Sequence, residues 1–540
     1  MKRFFRLFYT LWYLQPVQLY GRIWFKLYRP TLDCSGTPTL RTLAGKWATP
    51  IQKPVTLLRP WAFSFLNETI ECNFPEDWNN NDREKLWLYN LHYFDDLQGL
   101  EGEERREWHS RLIEQWIQDN PPPQGNGWEP YPLSLRIVNW IKWALAGNQL
   151  ADKAGASLAV QARYLSQRIE YHLLGNHLFT NAKALLFAGL FFQGTEAEKW
   201  LHRALKIFSQ EIPEQILPDG GHFERSPMYH AIILEDMLDI VNIMRVYQKA
   251  VPEGWEEKIE EMLSWLKAMC HPDGEIALFN DAALSIAPSP QKIYCYAEAL
   301  GFRNPPDPSG LTCLKDSGYI CYQHKEVSAL LDTALIGPDY LPGHAHADTL
   351  NFELSLYGQR VIVDSGTSCY GAGQERQRQR GTLAHNTVTV DDQDSSEVWG
   401  GFRVARRAKP KNLQVSATEH SIQVICAHDG YRRLPGKVIH TREWIFGQRQ
   451  MVIRDTLSGK FTKALSRFHF HPDVQCRQPA SDIYGEVLLA TGNLLKWTVK
   501  GGAARFTATT YHPEFGKSLQ NSCLEITFFE KKCEVQFTWF

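Results

Sequence analysis

The hydrophobic period of this chain changes once, across Asn304-Pro305-Pro306-Asp307-Pro308-Ser309-Gly310. Upstream, apolar residues recur at helical spacing; downstream, they alternate one by one. A stripe written for 3.6 residues per turn cannot bury itself as a strand, nor an alternating stripe as a helix. The chain must therefore fold as two unlike halves, a helical domain over residues 84–303 and a strand domain over 312–540, preceded by residues 1–83. In the helical half, Leu135–Trp143, Leu158–Ile169, Ile232–Tyr247 and Ile259–Met269 form apolar runs. Leu185–Phe192 is almost wholly apolar, which predicts a helix buried on several sides. Short turns, Pro218-Asp219-Gly220-Gly221 and Pro272-Asp273-Gly274, predict helical hairpins arranged as an α/α toroid. In the second half Leu350, Phe352, Leu354 and Leu356 alternate with polar residues. Similar runs at Thr387–Val390, Ile422–Ile425, Gln450–Ile453, Ser466–Phe470 and Leu524–Phe529 predict an antiparallel β-sandwich. The expected class is α+β multidomain.

With 44% hydrophobic residues in 540, both halves have material for a large core. The balance of 58 Lys+Arg against 60 Asp+Glu gives no global field toward nucleic acid, so a polyanionic partner must be met locally. The 11 cysteines are an odd number and form no CxxC, which predicts scattered thiols and mildly favours a reducing compartment. Residues 1–30 are aromatic and basic, and read as an amphipathic segment that packs on the body or touches a membrane surface. Arg6 interrupts the apolar run after Lys2-Arg3, and Gln15-Pro16-Val17-Gln18 stands where a signal peptidase would need small residues. No uninterrupted apolar stretch of ~20 residues occurs, so no transmembrane helix is expected. Residues 31–75 are mixed and dotted with proline, and read as a connecting arm.

Polar residues concentrate at a few places. Gly343-His344-Ala345-His346-Ala347-Asp348 precedes a strand, and in an extended segment His344, His346 and Asp348 share a face. With Asp364 and His385 further on, these are side chains that zinc accepts. Gly175-Asn176-His177 and Thr180-Asn181-Ala182-Lys183 interrupt an apolar helical run, and such a face needs partners or a wet cleft. Glu224-Arg225-Ser226-Pro227-Met228-Tyr229-His230 follows a Gly-Gly turn. Arg376, Arg378 and Arg380 would share a face if extended and could meet carboxylates or sulfates.

Taken with Trp128-Glu129-Pro130-Tyr131-Pro132-Leu133-Ser134-Leu135-Arg136 and Ala384-His385-Asn386-Thr387, these stretches resemble the heparinase II/III family of polysaccharide lyases, related to alginate and oligo-alginate lyases, over roughly residues 90–540. The resemblance implies an active site between toroid and sandwich and a uronic-acid polysaccharide cut by β-elimination. Asn176 and His177 would neutralise the uronate carboxylate, with Tyr229 and His344 as acid and base, the tyrosine serving as base if nearby cations lower its pKa. Tyr131, Arg136, Glu224 and Arg380 are the expected substrate-binding residues. The resemblance further implies a structural zinc on His346, Asp364 and His385. It favours a cell-envelope, periplasmic location, with the cytoplasm as the alternative for want of a clear cleavage site. Thr180 stands where some heparin-active members carry an acid, which leaves the polymer open. Competing expectations are a cupin-like metal enzyme on His344-x-His346, a glycoside hydrolase using two of Asp219, Glu224, Glu235 and Asp236, and a non-catalytic protein of glycan binding or polymer assembly.

Overall fold

The computed structural model describes residues 2–418, 421–479 and 481–540. Helices α1 (Lys2–Trp12) and α2 (Pro16–Leu27) open the chain. The stretch read as a connecting arm contains a three-stranded antiparallel sheet, Leu57–Arg59, Ala62–Phe65 and Glu68–Glu71. Trp61, Leu66 and Asn67 take positive φ at its turns, and Leu57, Phe63 and Phe65 enter the core of the helical half. Strands this short leave too little alternation to register against a Pro-dotted background.

The toroid follows as α3 (Lys85–Tyr93), α4 (Arg106–Asp119), α5 (Pro130–Leu145), α6 (Asp152–Gln167), α7 (Gly175–Phe191), α8 (Thr195–Gln215), α9 (Pro227–Val246), α10 (Trp255–Ala268) and α11 (Pro290–Ala299). Helix α7 is its axis, packed on α5, α6, α8 and α9. Every residue of α7 is buried except His177, which explains why its sequence shows so little polar stripe. Lys183, on the same helix, does not reach a cleft: its Nζ lies 2.5 Å from Asp236 and 2.6 Å from Asp239 on α9.

Beyond residues 300–309 the strands begin. Three large sheets build this half, a five-stranded one running from Gly310–Leu314 to Gln359–Ile362, an eight-stranded one and a four-stranded one, beside a two-stranded pairing of Val398–Trp399 with Arg403–Val404. The ladders between named strands are antiparallel. Ile320, Phe352, Val388, Trp444, Phe468 and Leu524 bring all three sheets onto one core. Strand Ile439–Gly447 alternates buried and half-buried residues along its whole length, the pattern that made this half readable.

The halves are joined by polar contacts from the α10–α11 connection. Leu278 N–H donates to Glu353 Oε1 at 2.7 Å, His346 N–H to Asn280 Oδ1 at 3.0 Å, and Asp281 N–H to the His344 carbonyl at 2.9 Å. Arg225 donates to the carbonyls of Ser317 and Gly337. These bonds fix the sandwich loop that carries His344 and His346 against the start of α9.

Candidate active site

Asn176 and His177 stand in the first turn of α7. The chain enters that helix through Leu174 and Gly175, both at positive φ. A Cβ on Gly175 would lie 2.3 Å from Leu341 Cδ2 and 2.9 Å from Glu224 Oε1, so only glycine permits the approach. The Asn176 N–H points to Glu224 Oε1 at 3.4 Å. Glu224 Oε2 is buried without a hydrogen bond and lies 3.6 Å from His344 Nε2. Ser226 caps α9 by accepting from the Tyr229 N–H, which sets the phenol toward the sandwich. The Tyr229 ring packs on the His344 ring at 4.0 Å between centroids, and its hydroxyl meets that of Tyr370 at 2.9 Å. Asn176, Glu224, Tyr229 and His344 thus form one contiguous group built from both halves.

His177 sits beside this group. Its Nδ1 is 3.2 Å from Glu170 Oε2, and its ring packs on Tyr131 at 4.5 Å. Burial works against a charge on His177, but Glu170 outweighs it and the pKa stands above that of a free histidine. An imidazole whose charged form is favoured by Glu170, at the one unburied position of α7, is suited to a carboxylate ligand.

The residue that organises the site is Asp281, which the sequence reading did not single out. Its carboxylate accepts from His344 Nδ1 at 2.9 Å and His346 Nε2 at 2.8 Å, and takes both terminal nitrogens of Arg376. Burial alone would neutralise it; Arg376 and the two imidazoles reverse that and hold it well below the usual carboxylate range. With Nδ1 of His344 donating to Asp281, Nε2 is left as the free acceptor. Tyr370, also unforeseen, supplies the partner of the Tyr229 hydroxyl.

Three expectations need correction. Arg136 is wholly buried, with its guanidinium on Gln161 Oε1 and the carbonyls of His92 and Gly127 and stacked on Trp116 at 3.7 Å. Arg380 is equally buried, on the carbonyls of Ala345, Gly400 and Gly401. Both anchor the loops around the site and neither can receive a polymer. The arginine run is a helix, α12 (Gln374–Gln379), so its members diverge: Arg376 to Asp281, Arg378 to Glu375, Thr510 and His512. Finally, the Tyr229 pKa is not lowered: burial, with Tyr370 and Tyr131 nearby, pushes it well above that of a free tyrosine. Of the expected substrate-binding residues, Tyr131 and Glu224 remain at the site.

The residues expected to hold zinc lie in a buried layer behind His344. His385 Nδ1 bonds Asp364 Oδ2 at 2.7 Å, and the His346 and His385 rings are 5.2 Å apart. Asp364 also accepts from Asn351 and from the Gly366 N–H. Among the described residues, no three His, Cys, Asp or Glu side chains are placed to hold a metal ion. His346 Nδ1, His385 Nε2 and Asp348 Oδ2 are nevertheless buried with no partner. In kind, these donors fit zinc, and Asp364 stands as the carboxylate that orients a ligating histidine.

Of the four carboxylates named for a hydrolase, Glu224 is at the site and the other three are committed elsewhere. Lys53 holds Glu235 and Lys183 holds Asp236, while Asp219 accepts from Ser317 and Asp316. A groove of about 400 Å³ lined by Asp219, Glu257, Glu260 and Glu261 lies apart from the site, and its charge would repel an acidic polymer.

Comparison with known proteins agrees with this architecture. The profile for the heparinase II/III N-terminus matches residues 96–299, and that for the heparinase II/III-like C-terminal region matches 306–539. The chain belongs to the heparinase II/III family. A heparin-sulfate lyase of Bacteroides stercoris is 27% identical over 272 residues, 46% of this chain and 40% of that protein. The matches to curated heparin-sulfate lyases cover 38% to 48% of their length. FtsZ-localized protein C of Caulobacter vibrioides is 26% identical over 429 residues, 72% of this chain and 70% of its own. A crystal structure of heparinase III superposes with a TM-score of 0.68 at 17% identity, covering 84% of this chain and 76% of the other. That likeness shows the toroid-and-sandwich fold.

Proposed function

We propose that this family member is a polysaccharide lyase that cleaves a uronate-containing acidic polysaccharide by β-elimination. The observation that carries the reading is the Tyr229–His344 pair, with His344 Nδ1 held by Asp281. His344 Nε2 takes the proton from C5, α to the carboxylate. The electron pair forms the C4–C5 double bond, the C4–O4 bond breaks, and Tyr229 gives its phenolic proton to O4. This division rests on which group carries a proton before reaction: burial keeps the Tyr229 phenol protonated, so it has a proton to give to the more basic O4 alkoxide as that leaves and is not free to act as the base. Asn176 and His177, whose charged form Glu170 favours, meet the uronate carboxylate, where negative charge grows as C5 loses its proton. Glu224, 3.6 Å from His344 Nε2, is a next stop for that proton. Heparan-type glycosaminoglycans are the first polymers to test, since curated relatives are named heparin-sulfate lyases.

We assign a structural zinc to the layer behind His344, with His346 Nδ1 and His385 Nε2 as nitrogen donors and Asp348 as the carboxylate, while Asp364, expected as a ligand, orients His385 instead. Bound there, zinc would hold the β-strands that carry the site without touching the polymer. Elemental analysis of protein purified without chelator is expected to find about one zinc per chain; none, with full thermal stability, contradicts the assignment.

A second reading, a non-catalytic role, draws on the breadth of the match to FtsZ-localized protein C. Mass analysis of products separates the two. Elimination releases a fragment lighter by one water than hydrolysis would give, whereas a binding protein releases nothing.

A further inference from the structure

The largest apolar surface left uncovered lies on α1 and α2. Phe4, Phe8, Leu11 and Trp12 recur at helical spacing and are 70%, 46%, 46% and 71% exposed. Leu19, Tyr20, Ile23, Trp24 and Leu27 do the same on α2, at 47% to 75%. The opposite faces are seated on the body. Trp399 Nε1 donates to Thr10 Oγ1 at 3.1 Å and Arg407 covers the Tyr13 ring at 4.0 Å. Gln18 is buried and donates to the Tyr340 carbonyl, Phe25 packs on His172 at 4.3 Å, and Gly21 lies so close to His172 that a Cβ would be 3.0 Å from its Cβ. The helices are therefore fixed in place with their aromatic faces outward. Contiguous apolar surface on this scale marks a partner.

Charge identifies the partner's chemistry. Residues 1–32 contain Lys2, Arg3, Arg6, Arg22, Lys26 and Arg29 and no Asp or Glu, in a chain whose overall net charge is −2. Among the described residues, no helix is long and apolar enough to cross a membrane. At 11 and 12 residues, α1 and α2 span about 17–18 Å each, which suits lying in an interface rather than crossing ~30 Å of hydrocarbon. Phe, Trp and Leu on one face with Arg and Lys beside them form the composition that embeds in the headgroup region of anionic lipid.

We propose that α1 and α2 seat this protein on an anionic lipid bilayer. Their body contacts, Tyr340 and His172, lie four residues before His344 and Asn176 respectively, so the bilayer would lie beside the catalytic group and favour polymer held near the membrane. The seating on lipid does not depend on the lyase reading; only its consequence for polymer does.

The test is co-sedimentation of the full chain with vesicles of phosphatidylcholine alone or mixed with phosphatidylglycerol, alongside light scattering for mass. Each basic residue near an anionic surface is worth about fivefold in partitioning, so binding to the mixed vesicles should exceed binding to phosphatidylcholine at least tenfold and fall with salt. The double variant Trp12→Glu, Trp24→Glu should lose at least tenfold in binding with an unchanged melting temperature, because both side chains touch mainly solvent. Absence of binding, equal binding to both vesicles, or wild-type binding by the double variant would overturn the proposal. So would a wild-type dimer that the double variant converts to monomer without any vesicle binding, which would make this face a contact between copies.

Discussion

His344 owes its orientation to a carboxylate 63 residues away in the chain, and that dependence can be measured. Asp281→Asn removes the charge that Arg376 and the two imidazoles answer, leaving a buried guanidinium without its counterion. The loss should be about 3–5 kcal/mol of stability, read by denaturant unfolding, together with activity. If stability is unchanged, Arg376 has another partner and the organising role of Asp281 is wrong. Tyr229→Phe deletes one hydroxyl from a packed ring, so the fold should survive while turnover falls by about 10²–10⁴. The meeting of Asn176, Tyr229 and His344 was legible in the family's motifs, with the polar stretches beside apolar runs drawing attention to them. Asp281 was not: it sits in Phe279-Asn280-Asp281-Ala282, a short polar step whose partners are supplied only by tertiary structure. Arg136 and Arg380 were misread for a related reason. An arginine in a motif can hold the motif's own backbone as readily as a ligand, and sequence does not distinguish the two.

At the scale of elements, period picked out α5, α6, α7, α9 and α10 and several strands, while α8, the strands Gly502–Tyr511 and Lys532–Trp539, the three short strands at 57–71 and the helix at 374–379 were not read individually. Some helices carry histidines whose hydrogen bonds require the neutral ring. On α3, His92 Nε2 donates to the Trp78 carbonyl and Nδ1 accepts from Trp116 Nε1. On α9, His230 Nε2 donates to the Met262 carbonyl and Nδ1 accepts from the His222 N–H. Burial drives both down to about 3. Between the unfolded value near 6.5 and about 3, the unfolded chain binds protons that the folded chain refuses. Stability therefore falls as pH falls through that window, by up to ~1.4 kcal/mol per pH unit for each histidine. Melting temperature measured from pH 7 to pH 4.5 should decline steadily. A flat profile would show that these rings are protonated in the fold.

At the scale of the whole molecule, neither half contains a complete site. The toroid brings Asn176, His177, Glu224 and Tyr229, and the sandwich brings His344 and Tyr370. The carboxylate that fixes His344 comes from the connection between α10 and α11. The two-domain plan was readable in the single change of period, and the meeting of the halves in the family's motifs; the polar seam that sets their relative position was not, since it consists of backbone groups and isolated side chains. The central claim is elimination across this junction, and near-UV absorbance tests it most directly. A panel of uronate-containing polysaccharides, heparan sulfate first, is incubated with the wild-type chain and with Tyr229→Phe, and absorbance of the new C4–C5 double bond is followed. The account predicts a rise with wild type on at least one polymer and a rate about 10²–10⁴ lower with Tyr229→Phe. Polymer shortened without any absorbance change, or equal rates from the two proteins, would contradict it.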